Sequence, residues 1–326
     1  MARVLFLAFA ALACAQEPIQ ITTRLVEIPV IVRDSHGPVV DLTEDSFKLL
    51  EDGKPRRIAV FRGSFNQKVK SDQQPRNKVL FIDALNTVFS DQVLVRTQIL
   101  KMLDQTEIRN PVSIYVAGET VRMIQDFTTD VTKLKSAMEA FRPAQSRLLT
   151  APMRGVTPIP CATRICSQGP DGVAALVYRQ RVAMTLSAFE ALEEHLMQRP
   201  GPSTVVWISD EFPVNFLFDE DSRRWRRLSL AIYPVHARGL ATAVQRLDSA
   251  LWIADQTGGR AFYNRNDIGE AINEAMEEDS VNYTLGFYAQ REKPDGNFHR
   301  LQVRVDRPNV EVRSRTGYVD REPKGK

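Results

Sequence analysis

Two aspartates are placed to do chemistry in this sequence. Asp83 closes the run Lys78-Val79-Leu80-Phe81-Ile82, and Asp210 closes Thr204-Val205-Val206-Trp207-Ile208-Ser209. Runs this short and this apolar suit strands buried on both faces of a parallel sheet. An acid at the carboxyl end of such a strand lies where open α/β sheets place their ligand sites. Small polar residues, Asn86 and Thr87, follow Asp83 within four positions. Two such carboxylates are candidates for paired acid–base work; each is equally a candidate to hydrogen-bond a helix N-terminus. No His or Lys is placed by sequence to assist them. The chain also lacks a Gly-x-Ser-x-Gly elbow, a His-Glu-x-x-His helix, a Gly-x-x-x-x-Gly-Lys phosphate loop and a Cys/His pairing. It reads as non-catalytic, with a hydrolase built on Asp83 and Asp210 as the enzymatic alternative.

The other reactive residues are cysteines, and their reading depends on compartment. Met1-Ala2-Arg3 supplies a positive charge, Val4 to Leu12 an apolar core, and Ala13-Cys14-Ala15 a cleavage signal before Gln16. Residues 1–15 therefore read as a secretory signal peptide, and the mature chain as periplasmic or extracellular; a lipid anchor on Cys14 is the alternative. In an oxidising compartment Cys161 and Cys166 are expected to form a small-loop disulfide. A zinc pair is the weaker reading, because His36, His195, His236 and His299 are scattered. No later segment has the ~20 apolar residues of a membrane span. A net charge of +3 is too small to argue for nucleic acid, and Arg223-Arg224-Trp225-Arg226-Arg227 reads as a solvated helix face.

Strands and helices must position these groups. Val26, Ile28, Val30 and Val32 alternate, and Phe47 and Leu49 lead through Asp52-Gly53 to Ile58 and Val60; residues 16–66 thus form a small sheet with one face to bury. Residues 67–77 are a polar linker. Over 78–280 strands alternate with helices: a helix from Asp91 to Gln105, strands at 112–116 and 121–125, a helix to Phe141, a long helix from Val173 to Met197, the strand before Asp210, a strand from Leu228 to Val235, a helix from Val244 to Gln256, an edge strand at 261–263, and a last helix from Asp267 to Glu278. That alternation implies a doubly wound, mainly parallel α/β sheet. The loop at 142–172 is too long to be a mere connection. Over 281–320 the alternation of Tyr283, Leu285 and Phe287, then Leu301, Val303 and Val305, returns to β, ahead of a tail at 321–326. Two half-cores that cannot bury themselves are expected to join as one β-sandwich with the α/β domain inserted between them.

The order of landmarks resembles a von Willebrand factor A domain: the strand ending at Asp83, Phe127-Thr128-Thr129-Asp130 before a helix, the strand ending at Asp210, Ile232-Tyr233-Pro234-Val235, and Ile253 to Gly259. With Val26-Glu27-Ile28-Pro29-Val30 in front and Tyr283 to Tyr288 and Ser314 to Tyr318 behind, nearly the whole mature chain is similar to the VWFA-related domain proteins of acidobacterial type. That resemblance implies a metal-ion-dependent adhesion site for Mg2+ or another divalent cation, with a ligand carboxylate completing the shell. Asp83 matches its first Asp, Thr87 its second hydroxyl and Asp210 its later Asp. Leu85 stands where the first hydroxyl would be and cannot ligate. Asn86 is a substitute acceptor one residue out of register, and Thr150, Thr157 and Thr185 offer no secure middle-loop ligand. The implied function is an exported, non-catalytic protein-binding or adhesion module with a degenerate cation site and an unknown protein ligand; a metal-independent structural component of the envelope is the alternative.

Overall fold

The computed structural model describes residues 24–63, 77–150, 170–199, 203–214, 219–238, 247–278, 283–289 and 294–320. The signal peptide, Cys14, Thr157, Cys161, Cys166, the tail and all of the linker except Asn77 lie outside them.

The chain opens with β1 (Arg24–Asp34), β2 (Gly37–Pro38), β3 (Phe47–Glu51), β4 (Lys54–Arg56) and β5 (Val60–Gly63). It then enters β6 (Asn77–Asp83), α1 (Phe89–Gln105), β7 (Val112–Ala117), β8 (Val121–Thr128), α2 (Val131–Ala140), α3 (Arg147–Thr150), α4 (Pro170–Leu196), β9 (Ser203–Ser209), α5 (Asp219–Arg227), β10 (Ala231–His236), α6 (Leu247–Thr257) and α7 (Ile268–Glu278). It closes with β11 (Tyr283–Ala289), β12 (Phe298–Val305), β13 (Glu311–Ser314) and β14 (Gly317–Val319).

The two ends do complete each other. One antiparallel sheet runs β13-β1-β11-β5 with β2 on β1, and a second runs β14-β12-β3-β4. Both mix strands from before and after the α/β segment. Ile28, Val30, Val32, Leu49, Leu285, Phe287, Leu301 and Tyr318 share the core between them, which follows from period-2 patterning that gives each strand one apolar face. The Tyr283 hydroxyl ties the ends together, donating to the Val39 carbonyl at 2.8 Å and accepting from the Leu42 N–H at 3.2 Å.

The inserted segment is a sheet of order β10-β9-β6-β7-β8, parallel except for the antiparallel edge strand β8. β6 is central and buried at every position. Its alternate residues face two separate cores. Leu80 and Ile82 pack with α1 and α7 through Val95, Ile99 and Ile272. Val79 and Phe81 pack with α4 through Leu186, Phe189 and Leu192. Ile31 of β1 joins the first of these cores, and Glu278 at the end of α7 takes ion pairs from Arg33, Arg260 and Arg313. Sandwich and insert are therefore packed on each other.

Two expectations need correcting. Residues 261–263 are not a strand: Phe262 makes a single parallel bridge to Val235, with two backbone hydrogen bonds. The Arg-rich run is a helix, α5, but not a purely solvated one. Trp225 is fully buried against Phe189 and Trp207, so the tryptophan, not the arginines, decides where this helix sits.

Candidate functional site

The carboxyl edge of the central strands is built from a turn and a helix. Residues 84–88 leave β6 as an irregular turn and deliver the chain into α1. The turn is held from below by Asp83, whose Oδ1 accepts the Asn86 N–H at 3.0 Å, the local bond that aspartates form with backbone two or three residues on. The Asp83 side chain follows Phe81 onto the α4 face of the sheet. There its Oδ2 accepts two more bonds, from Asn86 Nδ2 at 2.8 Å and Trp207 Nε1 at 2.9 Å, with Ser209 Oγ 3.1 Å away. Trp207 and Ser209 come from β9, where the register Ile82↔Ile208 sets them beside Phe81 and Asp83. Burial pushes the Asp83 carboxyl above its ordinary range, against the lowering pull of these hydrogen bonds.

Asn86 is the hub of this network. Its Nδ2 also donates to Thr185 Oγ1 at 2.8 Å, and its Oδ1 accepts from Arg181 Nε at 2.9 Å. Carboxylate and hydroxyl on one side and guanidinium on the other leave the amide one orientation. Arg181 and Thr185 lie one turn apart on α4, and the Arg181 side chain is 0% exposed. Its Nη2 donates to Glu211 Oε2 at 2.7 Å, while Nη1 is buried with no partner among the described residues. A buried donor left unpaired costs about 1–3 kcal/mol.

Asp210 belongs to a second network. Its Oδ2 accepts from the Val88 N–H at 3.0 Å and lies 3.4 Å from Arg238 Nε; its Oδ1 is buried with no donor among the described residues. Its backbone N–H donates to Thr87 Oγ1 at 3.2 Å. Arg238 donates to Asp91 at 2.6 Å. Burial first, and then Asp91, push the Asp210 carboxyl up to about 7, with Val88 and Arg238 opposing. Asp91 moves the other way: burial would raise it, but Arg238 and Asp210 outweigh that. Asp210 thus sits at the amino end of α1, where a carboxylate meets free N–H groups.

These contacts decide how the residues singled out in the sequence relate to a hard divalent cation. Asp83, Thr87 and Asp210 do come to one edge, yet they do not present open oxygens to one point. Asp83 already accepts three bonds, Thr87 Oγ1 is held by the Asp210 N–H, and Leu85, 1% exposed, brings no oxygen, so that Asp210 Oδ1 is the one oxygen of the set with no donor among the described residues. The guanidinium of Arg181 supplies positive charge beside them. This donor set does not fit Mg2+ or a similar ion, which needs carboxylate and hydroxyl oxygens free to turn inward. Asn86, considered as a substitute ligand, gives its oxygen to Arg181 instead. The two carboxylates share no hydrogen-bond partner, and neither is hydrogen-bonded to a His or Lys among the described residues, so acid–base pairing has no geometry here.

Sequence reading missed Arg181, Trp207, Ser209 and Glu211, and left Thr185 as an ordinary helix residue. One signal was available: Arg181 and Thr185, four apart, flank the apolar positions Val182 and Leu186 on α4, which places polar groups on a buried face. A second cluster lies in the β-sandwich, where His299 bonds Asp52 through Nδ1 at 2.7 Å and Asp295 through Nε2 at 3.0 Å, close to Glu51 and Asp320. Its acids already have partners in Arg56, Tyr318 and Arg24; it links strand ends.

No family model matches the chain, and no curated protein matches it either. Among solved structures the chain is similar to an aerotolerance-related membrane protein of Bacteroides fragilis, with 11% identity over 62% of this chain and 98% of that one, at a TM-score of 0.37. It is also similar to the protein BatB of Bacteroides thetaiotaomicron, with 10% identity, 63% and 98% coverage and a TM-score of 0.36, and to the manganese-loaded TRAP protein of Plasmodium vivax, with 10% identity, 76% and 95% coverage and a TM-score of 0.41. At such scores these likenesses carry no argument, and the fold stands on the sheet itself: a central β6, parallel neighbours on both sides and an antiparallel edge strand.

The Asp210 network has a pH signature. Its folded pKa, about 7, stands above the ordinary 3.8, so between those values the native state holds a proton that the unfolded chain has released. This contribution is present near pH 4 and lost as pH rises through about 7. Asp210→Asn, neutral throughout, should therefore gain roughly 2 kcal/mol on wild type between pH 5 and pH 8 in denaturant unfolding; a difference that stays constant across that range would show that Asp210 does not titrate there.

Proposed function

We propose that this chain is an exported, non-catalytic protein-binding module that meets its partner with the carboxyl edge of the parallel sheet and needs no divalent cation to do so. The observation that carries the reading is the guanidinium of Arg181, enclosed where the strands end and wired through Asn86 to Asp83. A site stabilised by its own cation has no vacancy for a second one, since two positive charges would compete for the same acids. The surface beside it supports a protein partner. Phe89, in the first turn of α1, is 51% exposed, and Val93 one turn on is 41% exposed; between them in the chain lies Asp91, which Arg238 bonds. A cleft of about 220 Å3 opens next to them, between the β7–β8 turn and residues 141–146. Exposed apolar groups beside charged ones are a usual composition of a recognition surface. The leader pattern of residues 1–15 supports export. The separation of Asp83 from Asp210 into two networks supports a role without catalysis.

Two outcomes are expected. Thermal melts with EDTA, Mg2+ or Mn2+ should coincide, because a ligand that does not bind the native state cannot stabilise it; a cation at 100 times its Kd would instead add about 2.7 kcal/mol, and a rise of that size on adding Mn2+ would overturn metal independence. In affinity capture from an envelope fraction, Phe89→Asp should lose the partner that wild type retains. Met197→Asp, a change at an equally exposed apolar residue just past the carboxyl end of α4, should keep it. Equal retention by Phe89→Asp would move the binding face elsewhere.

A further inference from the structure

We propose that Arg181 is the centre of a carboxylate-binding site, that Glu211 is its resident occupant, and that the acidic side chain of a protein partner is the ligand that replaces it. The inference rests on the binding role proposed above and names the chemistry of the contact.

Arg181 is held in place from two sides but only partly satisfied. Nε is fixed on Asn86 Oδ1, and Nη2 on Glu211 Oε2. Nη1, also buried, has no partner. A guanidinium offers its donors as a planar fork, and a carboxylate satisfies two of them at once with parallel bonds. Glu211 uses only one oxygen on one arm of the fork. An incoming carboxylate placed across Nη1 and Nη2 would make both bonds and satisfy the orphaned donor, so it has an advantage that Glu211 does not exploit.

Glu211 is placed to give way. Its side chain is 47% exposed although the guanidinium that it covers is fully enclosed. Its backbone is pinned, because Ser209 Oγ donates to the Glu211 carbonyl at 2.6 Å, so the side chain alone can swing out. The remaining charge near the fork selects the ligand. Asp83 is wired to Arg181 through Asn86, Asp210 adjoins Glu211 in the chain, and Arg238 is engaged by Asp91 and Asp210. One guanidinium facing these acids suits a singly charged carboxylate, whereas a phosphate dianion would meet repulsion without a second free cation among the described residues.

The test is chemical rescue. Glu211→Ala removes the resident carboxylate and should melt below wild type. Sodium acetate should raise its midpoint by about 3 °C over sodium chloride at matched ionic strength, and sodium phosphate should not. Arg181→Met combined with Glu211→Ala should show no acetate effect, and wild type only a small one, because Glu211 competes. A short blocked peptide with one central glutamate should rescue Glu211→Ala better than acetate, and its glutamine counterpart should not rescue it. Should Glu211→Ala fail to fold, Glu211→Gln keeps the shape and is read the same way. Equal midpoints in acetate and chloride, or the same acetate rise in the double variant, would overturn the site. A peptide no better than acetate would overturn the protein-partner assignment. Melts with chelator test the cation-free reading separately, so either idea can fail alone.

Discussion

A guanidinium with 0% of its side chain exposed must be paired, and that requirement organises the head of this protein. Enclosing Arg181 without partners would cost several kcal/mol, since burial strips a cation of its hydration. The sequence meets the demand with Asn86, which takes its oxygen to Arg181 and its amide hydrogens to Asp83 and Thr185, and with Glu211 at the open side. Three elements are locked by these contacts: the turn after β6, the middle of α4 and the end of β9. Trp207 closes the set, placing its Nε1 on Asp83 while its rings pack on Phe212 and Trp225. Polar satisfaction and apolar packing thus converge on one carboxylate, and neither survives a change that moves it.

The same arrangement explains why these residues suit a guanidinium better than a hard cation. A hard ion and a guanidinium compete for the same role, that of positive charge among carboxylates, but they make different demands. The ion needs open oxygens from several directions; the guanidinium needs planar acceptors at its edge. Leu85 in place of a hydroxyl, Asn86 facing α4 and the arginine itself are three features that agree with the second. The β-sandwich supports the head from a distance. Its strands come from both ends of the chain, and Glu278 with Arg33, Arg260 and Arg313 fixes it against the α7 end of the insert.

Much of this was legible in the sequence because it is local. The buried run ending in Asp83, the second one ending in Asp210, and the alternation that joins residues near Ile28 to residues near Leu285 are all written in short periodic patterns. The joining of two half-sheets followed from each lacking a second layer. What could not be read was contact at a distance. Arg181 lies 95 residues from Asn86, and only the packing of α4 on β6 brings them together. The single bridge at Phe262 was read as a strand because its three residues have β character; pairing is limited there to one position beside β10. Trp225 was hidden by the four arginines around it. The disulfide expected between Cys161 and Cys166 falls outside the described residues.

The measurement closest to the centre of this account is a double-mutant cycle between Arg181 and Asp83. Arg181→Met in the wild-type background removes the cation from a network that includes an acid, and should cost about 3 kcal/mol or more in denaturant unfolding. In an Asp83→Asn background, where the acid is neutral at every pH, the same change should cost at least about 1 kcal/mol less, the coupling carried through Asn86. Costs that agree within about 0.5 kcal/mol in the two backgrounds would mean that the residues act independently, and that Arg181 does not hold the place of a cation at the head of the sheet.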